Sequence, residues 1–155
     1  MINARAETLT EKPAYRSLIG KHRCLIPADG YEWTIGSDGK KQPIHFHLSG
    51  YELFAFAGLW TVRTDDETGE ILESCTIITT RPNELVAPVH DRMPVILPAG
   101  AEALWLDPMI SKEHALSLLE PYPADLMLAL PASTRVNSVR NDDSGLLSPD
   151  DALAA

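Results

Sequence analysis

Residues 53–60, Leu53-Phe54-Ala55-Phe56-Ala57-Gly58-Leu59-Trp60, make a near-continuous apolar run without a charge. The run is far too short to span a bilayer, and a continuous apolar strand is buried on both faces, so it belongs in the middle of a sheet. The neighbouring segments supply that sheet. An acidic hairpin loop over residues 64–69 leads to Ser74-Cys75-Thr76-Ile77-Ile78-Thr79-Thr80, which pairs back as the next strand. Arg23-Cys24-Leu25-Ile26-Pro27 reads as a strand closed by proline, and Gly36-Ser37-Asp38-Gly39-Lys40-Lys41 is a hairpin turn by composition. In Ile44-His45-Phe46-His47-Leu48 the alternation puts both histidines on one solvated face and turns Ile44, Phe46 and Leu48 to the core.

Helical signals are fewer. Residues 11–22 predict a short helix after Pro13, with Tyr15, Leu18 and Ile19 on one side and Gly20 at its end. Residues 82–86 predict one or two helical turns that deliver His90. Residues 99–106 and 111–119 read as two helices, the first stopped by Pro108 and the second begun by Ser111. Residues 3–7 alternate like a strand, and residues 126–130 and 136–139 are further strand candidates. Many short strands with a few helices predict an α+β domain around a mostly antiparallel core. The expected division is one domain over residues 1–141, followed by a loose acidic tail over 142–155.

Charge narrows the function classes. The formal net charge is −9, which opposes nonspecific nucleic-acid binding by the chain as a whole. The charge is uneven, because residues 1–23 set Arg5, Lys12, Arg16, Lys21 and Arg23 against only Glu7 and Glu11, so a basic face is possible. Cys24 and Cys75 are far apart, in no metal or redox spacing, and predict reduced core thiols in a cytoplasmic protein. His45 and His47 would need further ligands to hold zinc, and no Cys, Asp or Glu stands at a matching spacing. No metal or other cofactor is expected.

The densest chemistry lies in Val89-His90-Asp91-Arg92-Met93-Pro94-Val95-Ile96-Leu97. An imidazole, a carboxylate and a guanidinium stand in consecutive positions at the mouth of an apolar strand, where a binding or catalytic constellation is usually mounted. The plainer alternative is a loop in which Asp91 and Arg92 hold only each other.

Four segments in this order resemble one family: Asn3-Ala4-Arg5-Ala6-Glu7-Thr8, the stretch from Arg23 through Gly30-Tyr31-Glu32-Trp33, Phe56-Ala57-Gly58-Leu59-Trp60, and the 89–97 segment. Val136-Asn137-Ser138-Val139-Arg140-Asn141-Asp142 fits as well. The set resembles the SRAP family (SOS response-associated peptidases, or abasic site processing proteins), over the later and larger part of its domain. The resemblance implies a SRAP-like fold lacking the N-terminal segment, and a partner in single-stranded DNA with abasic sites. It implies chemistry in which an N-terminal cysteine traps the sugar aldehyde as a thiazolidine. It places Asn3, Glu32 and His90 around that reaction, and Arg5, Trp33 and Arg92 on the DNA.

The residue types suit those roles. Glu32, beside Trp33, is placed for partial desolvation and acid–base work, and His90 shuttles protons near neutrality beside a carboxylate. Asn3 both donates and accepts, arginine forks match phosphate, and an indole stacks on an unpaired base. The plainer readings are Trp33 in the core, Glu32 paired with Lys40 and Asn3 capping a turn.

Two departures shape the expectation. Ile2 stands where the family has its cysteine, so this sequence is expected not to form the thiazolidine. Only Tyr31 separates Gly30 from Glu32, one aromatic fewer than the family motif, and such a deletion reverses the face of later side chains unless a bulge absorbs it. Without the N-terminal segment, an exposed apolar groove or an unpaired strand edge is expected. Two further readings stand beside the first: a single-stranded DNA-binding module without chemistry, and a cysteine hydrolase using Cys75 with His90 and Asp91.

Overall fold

The computed structural model describes residues 3–36, 41–50 and 52–148. They fall into two units: residues 3–28, 54–81 and 92–122, and the described parts of 29–53, 82–91 and 123–148.

The first unit is organised on the apolar run. Strand β5 (Phe54–Thr64) is buried without a break from Phe54 to Leu59 and emerges at Trp60. It lies inside the sheet, as a two-sided apolar strand must. The order is β1 (Asn3–Arg5), β6 (Ile71–Thr80), β5, β2 (Arg23–Ala28), antiparallel except for the parallel β1–β6 pair. The short strand β7 (Met93–Pro94) pairs with the end of β6. Beyond it, the Ala57 N–H donates to Val95 O and the Leu97 N–H to Ala55 O, so residues 95–97 join the sheet at β5.

Helices α1 (Pro13–Arg16), α2 (Ala101–Leu106) and α3 (Lys112–Ser117) complete this unit. Pro13 sits at the start of α1, where its missing N–H costs nothing. The Ser111 hydroxyl caps α3 by accepting from the His114 N–H at 3.1 Å. Leu9, Ile19, Leu59, Ile78, Val95, Leu97 and Trp105 form the centre of one core, each at most 2% exposed.

The second unit is a three-stranded antiparallel sheet in the order β3 (Tyr31–Ile35), β4 (Gln42–Leu48), β8 (Met127–Pro131). Residues 83–90 form hydrogen-bonded turns opened by Asn83, whose Oδ1 accepts from the N–H groups of Leu85 and Val86.

Several expectations are corrected. β2 runs through Pro27, which an edge strand tolerates because one side of its ladder is unpaired. The 136–139 strand is instead part of a 3-10 turn over Thr134–Asn137, capped by Ser133. His45 and His47 are buried, not solvated, so both faces of β4 are covered. Cys24 is half-buried, and burial pushes its thiol up, with a smaller contribution from Cys75; Cys75 itself is exposed rather than a core thiol. Arg23 is also buried and adds nothing to a basic face.

The acidic end is tied down as far as it is described. Arg135 pairs with Asp143, and the Ser133 N–H donates to Leu146 O. Residues 37–40, at the predicted hairpin turn, and 149–155 lie outside the described residues. Among the described residues, no helix is long and apolar enough to cross a membrane. A groove of about 420 Å³ opens in the first unit between Cys24, Ile26, Trp60, Glu73 and Cys75.

Candidate functional site

The predicted site residues fall three to each unit: Asn3, Arg5 and Arg92 in the first, Glu32, Trp33 and His90 in the second.

Asn3 and Arg5 stand on one side of β1, both exposed, while Ala4 between them is buried at 2%. This is strand alternation fixed by the pairs Asn3↔Ile77 and Arg5↔Thr79. Arg92 secures the turn that follows β1. Its Nη1 and Nη2 donate to the two carboxylate oxygens of Glu7 at 2.8 and 2.9 Å, and Nη2 also donates to Thr79 O. The hydrogen bond from Arg92 holds the Glu7 carboxyl below the usual range. Arg92 therefore bonds Glu7 across the chain and Asp91 contacts His90, so the two do not hold only each other. The Thr79 hydroxyl donates to Ala4 O at 3.3 Å, a second tie on the strand that carries Asn3.

In the second unit, β3 and β4 pair one-to-one from Tyr31↔Phe46 to Ile35↔Gln42. No bulge interrupts them, so alternation holds through Tyr31, Glu32 and Trp33. Tyr31 stacks on Phe46 with ring centroids 5.2 Å apart, and burial pushes its phenol well up. Glu32 lies opposite His45, and its Oε1 is 2.7 Å from His45 Nδ1. The predicted alternative partner, Lys40, lies outside the described residues.

Trp33 leaves the other side of the strand and stacks on His90, with ring centroids 3.8 Å apart and planes 7° from parallel. The imidazole is further oriented by Asp91, whose Oδ1 is 3.2 Å from His90 Nδ1.

The structure thus brings Trp33 and His90 together and pairs Glu32 with the buried His45. Sequence reasoning missed three partners: Glu7 for Arg92, His45 for Glu32, and His90 as the ring on Trp33. The second had a signal, since a hairpin centred on the 36–41 turn puts Glu32 opposite His45. The other two join segments distant in sequence. His45 and His47 also stack, with centroids 5.4 Å apart, and the His47 Nδ1–H donates to Leu48 O at 2.8 Å. Among the described residues, no group of three or more His, Cys, Asp or Glu side chains is arranged to hold a metal ion.

Comparison with known proteins gives this geometry a context. The family model described as SOS response associated peptidase (SRAP) matches residues 1–139. The abasic site processing protein YoqW of Bacillus subtilis (strain 168) is 48% identical over 149 residues, covering 95% of this chain and 66% of the relative. The abasic site processing protein HMCES of Gallus gallus is 35% identical over 170 residues, covering 95% of this chain and 49% of the relative. A crystal structure of a protein from Bacteroides thetaiotaomicron superposes with a TM-score of 0.88 at 34% identity, covering 96% of this chain and 65% of that one. The chain therefore spans about two thirds of the Bacillus relative and about half of the Gallus one.

Proposed function

Because the chain belongs to the SRAP family, we propose that it acts on abasic sites in single-stranded DNA, recognising the open-chain sugar and moving its protons. The observation that carries this reading is the setting of His90. Trp33 stacks on its ring and the Asp91 carboxylate lies 3.2 Å from its Nδ1, so an oriented imidazole is held in the site.

An abasic sugar exchanges between a closed hemiacetal and an open aldehyde. Opening it removes a proton from the anomeric hydroxyl and delivers one to the ring oxygen; attack by an amine then needs further proton transfers. In this reading the His90 imidazole takes or returns those protons. The resemblance also gives the sugar oxygen to the amide of Asn3, a donor and acceptor exposed on β1 of the first unit. The Glu32 carboxylate, with Oε1 engaged by His45, accepts protons through Oε2. Arg5 is exposed and meets a phosphate. Arg92 adds positive charge beside the strand while its fork stays on Glu7, and the half-buried Trp33 is the aromatic platform for an unpaired base.

In the family's form, the covalent step is thiazolidine formation by an N-terminal cysteine. It belongs to an amine and a thiol on one residue, and we assign the described residues only recognition and proton transfer.

The test is incubation with an oligonucleotide bearing one abasic site, against the intact strand, read by equilibrium binding and by a denaturing gel. The reading predicts preference for the abasic strand and its cleavage, as removal of a C2′ proton from the open aldehyde expels the 3′ phosphate, slowed about 10²-fold or more by His90→Ala. Equal, salt-labile retention of both strands with no conversion would refute it and leave electrostatic binding alone.

A further inference from the structure

We infer that His45 is the positioning residue of Glu32: the buried imidazole donates its Nδ1–H to Oε1, fixes the carboxylate plane, and leaves Oε2 as the working oxygen. This rests on the proposed proton-accepting role of Glu32 and extends it to a residue outside the predicted site.

Three observations carry it. First, the contact is short and follows from the backbone. Glu32 and His45 are directly paired across β3 and β4, so their side chains share a face, and Oε1 stands 2.7 Å from Nδ1. Second, the two partners differ in exposure. The His45 side chain is 11% exposed and the Glu32 side chain 32%, so a held group is presented by a buried one. A long carboxylate at an edge strand otherwise samples several rotamers, and a fixed donor removes that freedom before substrate arrives.

Third, the imidazole has a cradle. A Cβ at Gly30 would stand 2.1 Å from His45 Cε1 and 2.6 Å from Nε2, so only the absence of a side chain at position 30 lets the ring lie where it does. Behind His45, the His47 ring stacks against it and is itself anchored through Nδ1 to Leu48 O. The chain Leu48–His47–His45–Glu32 runs from backbone to carboxylate through two rings with defined planes.

The balance of protons is simple. With Glu32 ionised and His45 neutral, one proton sits on Nδ1 and is shared with Oε1. When Oε2 takes a proton from the substrate, that hydrogen bond persists. His45 never touches the reacting atoms.

The experiment compares Glu32→Gln, His45→Asn, His45→Phe and Gly30→Ala on the single-abasic oligonucleotide, separating the conversion rate at saturating DNA from DNA affinity. Asparagine restores a donor near the place of Nδ1, and phenylalanine keeps the ring but not the donor. His45→Phe and Gly30→Ala are expected to lower the rate about 10- to 100-fold with affinity unchanged, and His45→Asn to recover most of it.

A second readout needs no activity. Long-range 1H–15N spectra of the intact protein should show His45 protonated on Nδ1, and Glu32→Ala should redistribute that proton toward Nε2. Slowing by Glu32→Gln without slowing by His45→Phe overturns the positioning role and leaves the functional reading standing. No effect of Glu32→Gln overturns the assignment of Glu32. A wild-type protein inert on abasic DNA overturns the functional reading, while the spectra still decide whether His45 holds Glu32; an unprotonated Nδ1 would show that it does not.

Discussion

Replacing Arg23 with methionine removes the donor that joins β2 to two other segments of its unit. The Arg23 guanidinium is buried and donates through Nε to Trp105 O, through Nη1 to Ile19 O at 2.6 Å and to Gly20 O at 3.3 Å, and through Nη2 to Asp107 O. It also lies over the Trp105 ring at 5.7 Å. Two of its acceptors, Trp105 O and Asp107 O, belong to the end of α2, where carbonyls lack intrahelical partners and a positive charge is favoured.

Burial lowers the pKa of Arg23, the signature of a desolvated charge, so methionine recovers part of that desolvation while leaving the carbonyls without donors. Each orphaned buried carbonyl costs about 1–3 kcal/mol. With two of the four deeply buried, the net loss is about 2–4 kcal/mol. For a slope of about 2 kcal/mol/M, the urea midpoint should fall by about 1–2 M. Arg23→Lys, a single ammonium facing carbonyls on two segments, should lose about half as much. Equilibrium unfolding followed by tryptophan fluorescence at constant slope measures both. A methionine variant within about 0.3 M of wild type, or a lysine variant equal to it, would refute the argument.

Three further predictions follow from the same geometry. The Glu7 carboxyl is depressed in the folded state, so its pairing stabilises the fold above the unfolded carboxyl pKa and is lost as pH falls through the lower folded value. The pair is half exposed on the Glu7 side, so Glu7→Gln should cost under about 1 kcal/mol at pH 7, and urea midpoints should show the gap closing at acid pH. A double-mutant cycle of Trp33→Leu with His90→Ala should return about 0.5–1.5 kcal/mol of coupling, and His90 ring-proton shifts should lose their indole contribution in Trp33→Leu; coupling near zero would dissolve the stack. Iodoacetamide should modify exposed Cys75 well before Cys24, whose thiol burial pushes up, with mass spectrometry reporting the order. Modification of Cys75 should leave activity on abasic DNA intact, whereas loss of activity would revive the cysteine-hydrolase reading.

Much of the fold was legible because local chemistry and tertiary demand agree. The charge-free run at 53–60 required an interior strand, Ser111 required a helix start, and the acidic loop at 64–69 required a hairpin; β5, α3 and the β5–β6 turn answer to them. Alternation likewise placed Asn3 and Arg5 on one side of β1. The 136–139 segment misled because β-branched valines favour strands, yet the Ser133 cap and the Arg135–Asp143 pair hold a 3-10 turn instead. A strand needs a partner edge, and propensity does not supply one.

By itself the sequence determined the family, through ordered segments that carry the chemistry, and the α+β character, through the spacing of apolar runs. Tertiary structure decided which charges are spent on the fold: Arg23 on carbonyls, Arg92 on Glu7 and Thr79. It also decided where two site side chains point, with Trp33 on His90 and Glu32 on His45. Side-chain direction in a strand follows a period of two, which sequence states only relative to a register. That register is set by one-to-one pairing with a neighbouring strand, and only the folded chain fixes it.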